Sequence, residues 1–141
     1  MLALAKIFHF EMAHAIHGYE GPCKHIHGHS YELHVSVGST NHADGYIPSP
    51  GFVIDFKEIK KLVGDNIISK FDHKLLLSNA FLQVHPGVEK LENLVRWESE
   101  PTAENLLQYF REVLTEKLPA HINLLQLKLF ETKDSYAVWH L

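Results

Sequence analysis

The sequence predicts a single α+β domain whose elements run two strands, two helices, two strands. Three observations carry this. Residues 29–37 alternate, with Tyr31, Leu33, Val35 and Val37 on one face and Ser30, Glu32, His34 and Ser36 on the other, the period of a half-buried antiparallel strand. Two later stretches, 55–71 and 102–118, repeat their apolar residues at helical spacing. Leu125, Leu127 and Leu129 then alternate with Gln126, Lys128 and Phe130, and a turn at Lys133-Asp134 leads into 136–141, the pattern of a closing hairpin.

Residues 2–10 (LALAKIFHF) have the apolar and aromatic content of a first strand, and the loop between it and the second strand holds most of the histidines. A polar connection, STNHADGYIPSPG, is punctuated by Gly and Pro and leads into FVIDF, a short strand signal. Asp55 suits the N-cap of the first helix, whose apolar positions are Phe56, Ile59, Leu62, Val63, Ile67 and Phe71. Residues 78–100 are irregular and polar, with Pro86 and Gly87 in the middle, and read as a long loop. Thr102 then caps a second helix carrying Leu106, Leu107, Phe110, Val113, Leu114 and Leu118 and ended by Pro119. No internal repeat or low-complexity segment is present.

A chain of 141 residues is one domain, 1–141, because it is too short for two independent cores. Thirteen Lys plus Arg against 17 Asp plus Glu, a formal charge of -4, provide no global basic field for a nucleic acid or an anionic membrane. One cysteine cannot form an internal disulfide, the chain opens without a leader pattern, and no apolar stretch approaches the roughly 20 residues that cross a bilayer. A cytoplasmic location is therefore expected.

Histidine is over-represented. Of twelve, eight (His9, His14, His17, His25, His27, His29, His34 and His42) fall in the first third of the chain, and imidazole is the commonest metal ligand. In His27-Gly28-His29 the strand period puts both imidazoles on one face, with α-carbons roughly 6.5–7 Å apart, on the same parity as buried Tyr31 and Leu33. Two packed polar residues would give the same pattern, but His14 follows the first strand and the hairpin can bring it beside the pair. Three neutral imidazoles with an open fourth position describe a catalytic zinc site. His17 and His25 compete for the same role.

Cys23, four residues before His27, is either an inert thiol or, near a cation and imidazoles, a base or nucleophile. Asp72-His73 ends the first helix, where His answers the helix dipole or, with Asp fixing its tautomer, serves as acid or base. Glu131 has the parity of Leu125, Leu127 and Leu129, which places a carboxylate at the end of an apolar face unless the strand has already ended. A buried carboxylate requires a partner, and a guanidine-like ligand edge offers two parallel N–H donors.

Taken in order, His14, the run from Cys23 through His29 (CKHIHGH), VIDF at 53–56, Phe71-Asp72-His73, PTAEN at 101–105 and Phe130-Glu131-Thr132 resemble the 6-pyruvoyl-tetrahydropterin synthase family over almost the whole chain. The three-residue spacer between Cys23 and the HGH motif is similar to that of the bacterial 6-carboxy-tetrahydropterin synthases of queuosine biosynthesis. The resemblance implies the tunnelling fold, a four-stranded antiparallel sheet with two helices on one face, assembled as a homo-hexamer of two stacked trimers with active sites between subunits. It implies zinc on His14, His27 and His29, Cys23 as base, Asp72-His73 as proton relay and Glu131 as anchor of the pterin's amino-pyrimidine edge. Thr102 and Glu104 are weaker substrate-contact candidates.

The activity so implied is conversion of 7,8-dihydroneopterin triphosphate to 6-carboxy-5,6,7,8-tetrahydropterin, with loss of triphosphate and acetaldehyde and no redox cofactor. A pyruvoyl product or an aldolase-type cleavage at the same site is the alternative. A zinc- or pterin-binding protein without turnover would keep His14, His27, His29 and Glu131 but have no use for Cys23 and Asp72-His73. Two features depart from the family pattern: Leu76-Leu77 stands where the family often has Leu-Asn, and 78–100 is longer than in the short bacterial enzymes.

Overall fold

The computed structural model describes residues 2–42 and 45–141; Met1 and, within the polar connection, Ala43 and Asp44 lie outside the described residues. Strand β1 (Ala3–His14) pairs antiparallel along its whole length with β2 (His27–Gly38), from Ala3 opposite Gly38 to His14 opposite His27. Both strands run further than their alternation marks. His14, His27 and His29 therefore sit in strands, and only His17 and His25 remain in the loop between them.

Helix α1 (Phe56–Val63) opens with the Asp55 carboxylate accepting from Lys57 N–H at 2.8 Å. It continues through a π turn (Gly64–Ile68) into α2 (Ser69–Phe71), so the helical stretch from 56 to 71 stands as expected. FVIDF is not a strand. Ile54 is buried and Phe52 exposed, and the segment drops a single apolar anchor into the core before the cap at Asp55. Helix α4 (Ala103–Lys117) is capped by Thr102, whose hydroxyl accepts from Asn105 N–H at 3.2 Å. Strands β5 (Asn123–Thr132) and β6 (Ser135–His140) form the closing hairpin.

The stretch 78–100 is not a loop. It contains helix α3 (Asn79–Val84), capped by the Ser78 hydroxyl, and strand β4 (Leu94–Trp97). Before it, β3 (Lys74–Ser78) carries Leu75, Leu76 and Leu77, all buried. Such a run has no alternation because both of its faces are covered, as is usual for parallel strands. β3 pairs parallel with the end of β1 and with β4. The sheet therefore has six strands, in order β4-β3-β1-β2-β5-β6, and is mixed, where a four-stranded antiparallel sheet was expected.

The main core lies between one sheet face and the helices. Phe10 stacks on Tyr31 with ring centroids 4.9 Å apart, and Phe110 of α4 meets Phe10 edge-on at 6.2 Å. Leu33, Val35, Leu127 and Leu129 complete the sheet side, and Ile59, Ile67, Leu106 and Leu114 the helical side. The two-helix layer is joined by a third helix on the opposite face, where Phe81 and Leu82 of α3 cover Leu75, Leu77 and Ala15. A register shift beside Ser36 and Val37 puts Leu124 opposite Val37, so Leu124 enters the core in place of Leu125. Among the described residues no helix is long and apolar enough to cross a membrane.

Candidate metal centre

The β1–β2 register places His14 opposite His27 and Met12 opposite His29, so the three imidazoles share the helix-covered face at the end of the ladder. Their ring centroids lie 4.6 to 5.1 Å apart, and one ligand atom from each falls within 4.8 Å of the others. Buried Tyr31 stands next along the same face, 5.5 Å from the His29 ring. His17 and His25, the competing candidates, contribute no ring to this group.

Backbone carbonyls fix the proton positions. His14 Nδ1 is 2.7 Å from the Pro101 carbonyl and His27 Nδ1 is 2.7 Å from the His25 carbonyl. A carbonyl only accepts, so both Nδ1 atoms carry the proton, and each ring in its neutral form presents a bare lone pair at Nε2. Those two Nε2 atoms are 3.0 Å apart. Facing lone pairs repel unless a cation lies between them, and ligands about 2.0–2.1 Å from a tetrahedral ion stand about 3.3 Å from one another. The donor set thus fits a metal, with carbonyl-to-imidazole bonds of the kind that orient metal ligands.

A proton is a poor substitute for that cation. Burial lowers the His14 pKa from 6.5 to about 4, with charge on His27 and His29 adding to the effect and the Pro101 carbonyl opposing it. His29 is also lowered, chiefly by burial, while Glu131 pulls it up. Near neutrality His14 is an uncharged ligand.

Glu131 reaches the same place. Its Oε1 is 3.9 Å from His14 Nε2, and its side chain is half-buried. It lies at an irregularity of the β5–β6 ladder, where Phe130 pairs with Tyr136 and Thr132 with Ser135, and such bulges re-aim a side chain. With His14 neutral the two do not form an ion pair, and the carboxylate can accept from the N–H donors of a ligand. Cys23 is exposed in a short turn, Pro22–Lys24, outside the three-histidine group. The Tyr31 phenol is pushed up mainly by burial, with Glu131 and Cys23 contributing, so both lie within electrostatic reach of one buried hydroxyl.

Asp72-His73 is placed elsewhere. Asp72 Oδ1 accepts from Glu11 N–H at 2.8 Å, which holds its carboxyl below the usual range, and stands 3.0 Å from His73 Nδ1. His73 has a φ of 62°, donates its N–H to the Glu11 carbonyl at 2.6 Å and has a side chain 79% exposed. Beside it an open groove of about 340 Å³ runs past Glu11, Ala13, Gly28 and Ser30, strand positions that face away from the metal group, and is also bordered by Met12 and His29. Within one chain the structure therefore gathers His14, His27, His29 and Glu131 and leaves Asp72-His73 at the strand edge. Thr102 is occupied as a helix cap, and Glu104 is exposed in the first turn of α4. The carbonyls of Pro101 and His25 had no signal in the sequence, since every residue type carries one.

Three imidazoles able to hold one metal ion, at the end of a paired ladder on an α+β sheet, define a candidate metal-site protein. The chain belongs to the 6-pyruvoyl tetrahydropterin synthase family, whose model matches residues 3–140. Members of that family are lyase-type enzymes. The 6-carboxy-5,6,7,8-tetrahydropterin synthase of Rickettsia typhi is 29% identical over 140 residues, covering 96% of this chain and 98% of the relative. The dihydroneopterin monophosphate aldolase of Pyrococcus furiosus is 30% identical over 125 residues, covering 89% of this chain and 85% of the relative. In fold, the 6-pyruvoyl tetrahydropterin synthase of Caenorhabditis elegans superposes with a TM-score of 0.69 at 20% identity, over 99% of this chain and 94% of that one.

Two outcomes are expected. Purified protein should hold about one equivalent of divalent metal per chain by elemental analysis, and His27→Ala and His29→Ala should each lose it; retention in both variants would dismiss the site. The metal-free protein should lose stability as pH falls from 6.5 to about 4, because the unfolded chain binds the proton that buried His14 refuses. The loss, on the order of 3 kcal/mol at most, should level off below that window and be visible in urea melts taken across it.

Proposed function

We propose that the protein is a zinc-dependent lyase acting on 7,8-dihydroneopterin triphosphate and one water and yielding 6-carboxy-5,6,7,8-tetrahydropterin, triphosphate and acetaldehyde. The observation that carries the proposal is the Glu131 carboxylate 3.9 Å from the neutral imidazole of His14. A reduced pterin with a hydroxylated side chain presents an amidine-like edge at one end and vicinal oxygens at the other, which is the pair of groups this arrangement accepts. Zinc, held by His14, His27 and His29, would polarise those oxygens and acidify the adjacent C–H bonds.

The chain's own groups would do the rest. Glu131 would hold the pyrimidine edge, with Thr102 and Glu104 at the start of α4 as weaker substrate contacts. Cys23, presented on its short turn, takes a proton from the substrate side chain. Asp72 orients His73 through Nδ1, which leaves the other ring nitrogen to return a proton. One sheet leaves β4 and β6 as unpaired edges, which proteins normally cover or close. We assign the assembly as a homo-hexamer of two stacked trimers with sites between subunits, so that a relay on the outer face of one copy can serve the metal group of another. A cytoplasmic setting keeps the Cys23 thiol reduced.

The second reading is aldolase-type cleavage at the same centre, favoured by the 30% identity to the Pyrococcus furiosus aldolase. A pyruvoyl product is a third outcome of the same proton transfers. Incubation of the purified protein with dihydroneopterin triphosphate, followed by mass analysis of the pterin, separates them: the carboxylated product supports the lyase named here, and a hydroxymethyl or pyruvoyl pterin replaces it.

Cys23→Ala should keep metal and fold while turnover drops by about 10²–10⁴-fold, and a variant with more than half the original rate would transfer the base role to another residue. Glu131→Ala should bind neopterin at least about tenfold more weakly by calorimetry with metal content unchanged, since a hydrogen bond to a charged group contributes about 1.5–3 kcal/mol. Glu131→Gln should fall between the two, and unaltered affinity in the Ala variant would move the pterin pocket elsewhere.

A further inference from the structure

We infer that Glu100 is a positioning residue that sets the place of the Cys23 turn relative to the metal centre; the inference rests on the proposed lyase reading for the role of Cys23. The segment 15–26 that joins β1 to β2 is shaped mostly from within. Ile16 N–H donates to the Cys23 carbonyl at 2.8 Å and closes its neck, while Lys24 N–H to Gly21 and His25 N–H to Pro22 wind the turn. The Tyr19 ring lies so close over Gly21 that a Cβ there would fall 2.3 Å from Tyr19 Cε1. None of these contacts ties the loop to the body of the protein.

Among the described residues, the hydrogen bond that does so from a distant element is His17 N–H to Glu100 Oε1, at 2.7 Å. Glu100 is itself held from two directions. Its carbonyl accepts from Thr102 N–H at 2.9 Å and from the Asn105 side-chain amide at 2.9 Å, and Asn105 N–H bonds the Thr102 hydroxyl in the first turn of α4. The next residue, Pro101, supplies the carbonyl that holds His14. One dipeptide thus grips the metal ligand through its backbone and the Cys23 loop through its side chain, so these two adjacent residues help set the distance from thiol to metal, beside the His25 carbonyl on His27. Proton transfer tolerates little error, since a shift of about 1 Å can cost on the order of 10²-fold in rate.

The test compares Glu100→Ala, Glu100→Asp and Glu100→Gln in the full-length, metal-loaded protein. Gln keeps an acceptor at the same reach, whereas Asp withdraws it and Ala deletes it. Expected for Ala and Asp are unchanged metal content, amide exchange at His17 faster by about tenfold or more, and at least a threefold change in the rate at which iodoacetamide alkylates Cys23. Their kcat should fall about tenfold with KM within about twofold, and Gln should restore all three quantities. Wild-type exchange and alkylation in both Ala and Asp would overturn the inference, as would a loosened loop with unaltered kcat, or loss of metal. If wild-type protein fails to turn over dihydroneopterin triphosphate, the lyase reading falls, while exchange and alkylation still decide whether Glu100 places the Cys23 loop.

Discussion

A slip of one residue between β1 and β2 would send His14 and His27 to opposite faces of the sheet, because side chains in strands alternate with a period of two. The twelve-residue ladder that prevents it is anchored by Phe8, Phe10, Met12, Tyr31, Leu33 and Val35, all on the face that the helices cover. Any slip would expose that set to water, at roughly 25 cal/mol for every Å² of apolar surface uncovered. The metal centre is thus maintained by the core, and its geometry follows from the burial of apolar side chains that touch no ligand.

The same burial sets the electrostatics. An imidazole pressed into the end of a hydrophobic ladder is held neutral, and a carbonyl at its Nδ1 turns its lone pair toward its neighbours. Two lone pairs facing each other at 3.0 Å, with a third imidazole beside them, are costly in an empty protein and favourable around a cation, so metal binding would stabilise the fold at this site. Glu131 adds a negative charge at the rim of that group. On the proposed lyase reading, these nitrogens and this carboxylate would take the oxygens and the N–H donors of one ligand.

The start of α4 joins these parts. Thr102 caps the helix by accepting from one of its unpaired N–H groups, that of Asn105. The two residues before it do something further, since Pro101 orients His14 and Glu100 reaches the loop that carries Cys23. The helix dipole and cap hold a structural junction on which both a metal ligand and a candidate base depend.

Local periodicity made much of this legible. The alternation of Tyr31 through Val37, the helical spacing from Phe56 to Phe71 and from Leu106 to Leu118, and the shared parity of His27 and His29 are properties of short stretches, and each keeps its meaning wherever the chain folds. Strands β3 and β4 were hidden because Leu75-Leu76-Leu77, buried on both faces, shows no period, and because the four residues of β4 are too few to show one. The bulge that exchanges Leu125 for Leu124, and the one that aims Glu131, arise from pairing with distant strands. The choice of His14 over His17 and His25 required the register of β1 on β2, and the carbonyls of Pro101 and His25 required backbone directions that no side chain announces. Sequence by itself determined which residues could form strands, helices and ligands, since those are one-residue and one-turn properties. Tertiary structure decided which of them meet, because register and carbonyl orientation are settled only when segments far apart in the chain are packed together.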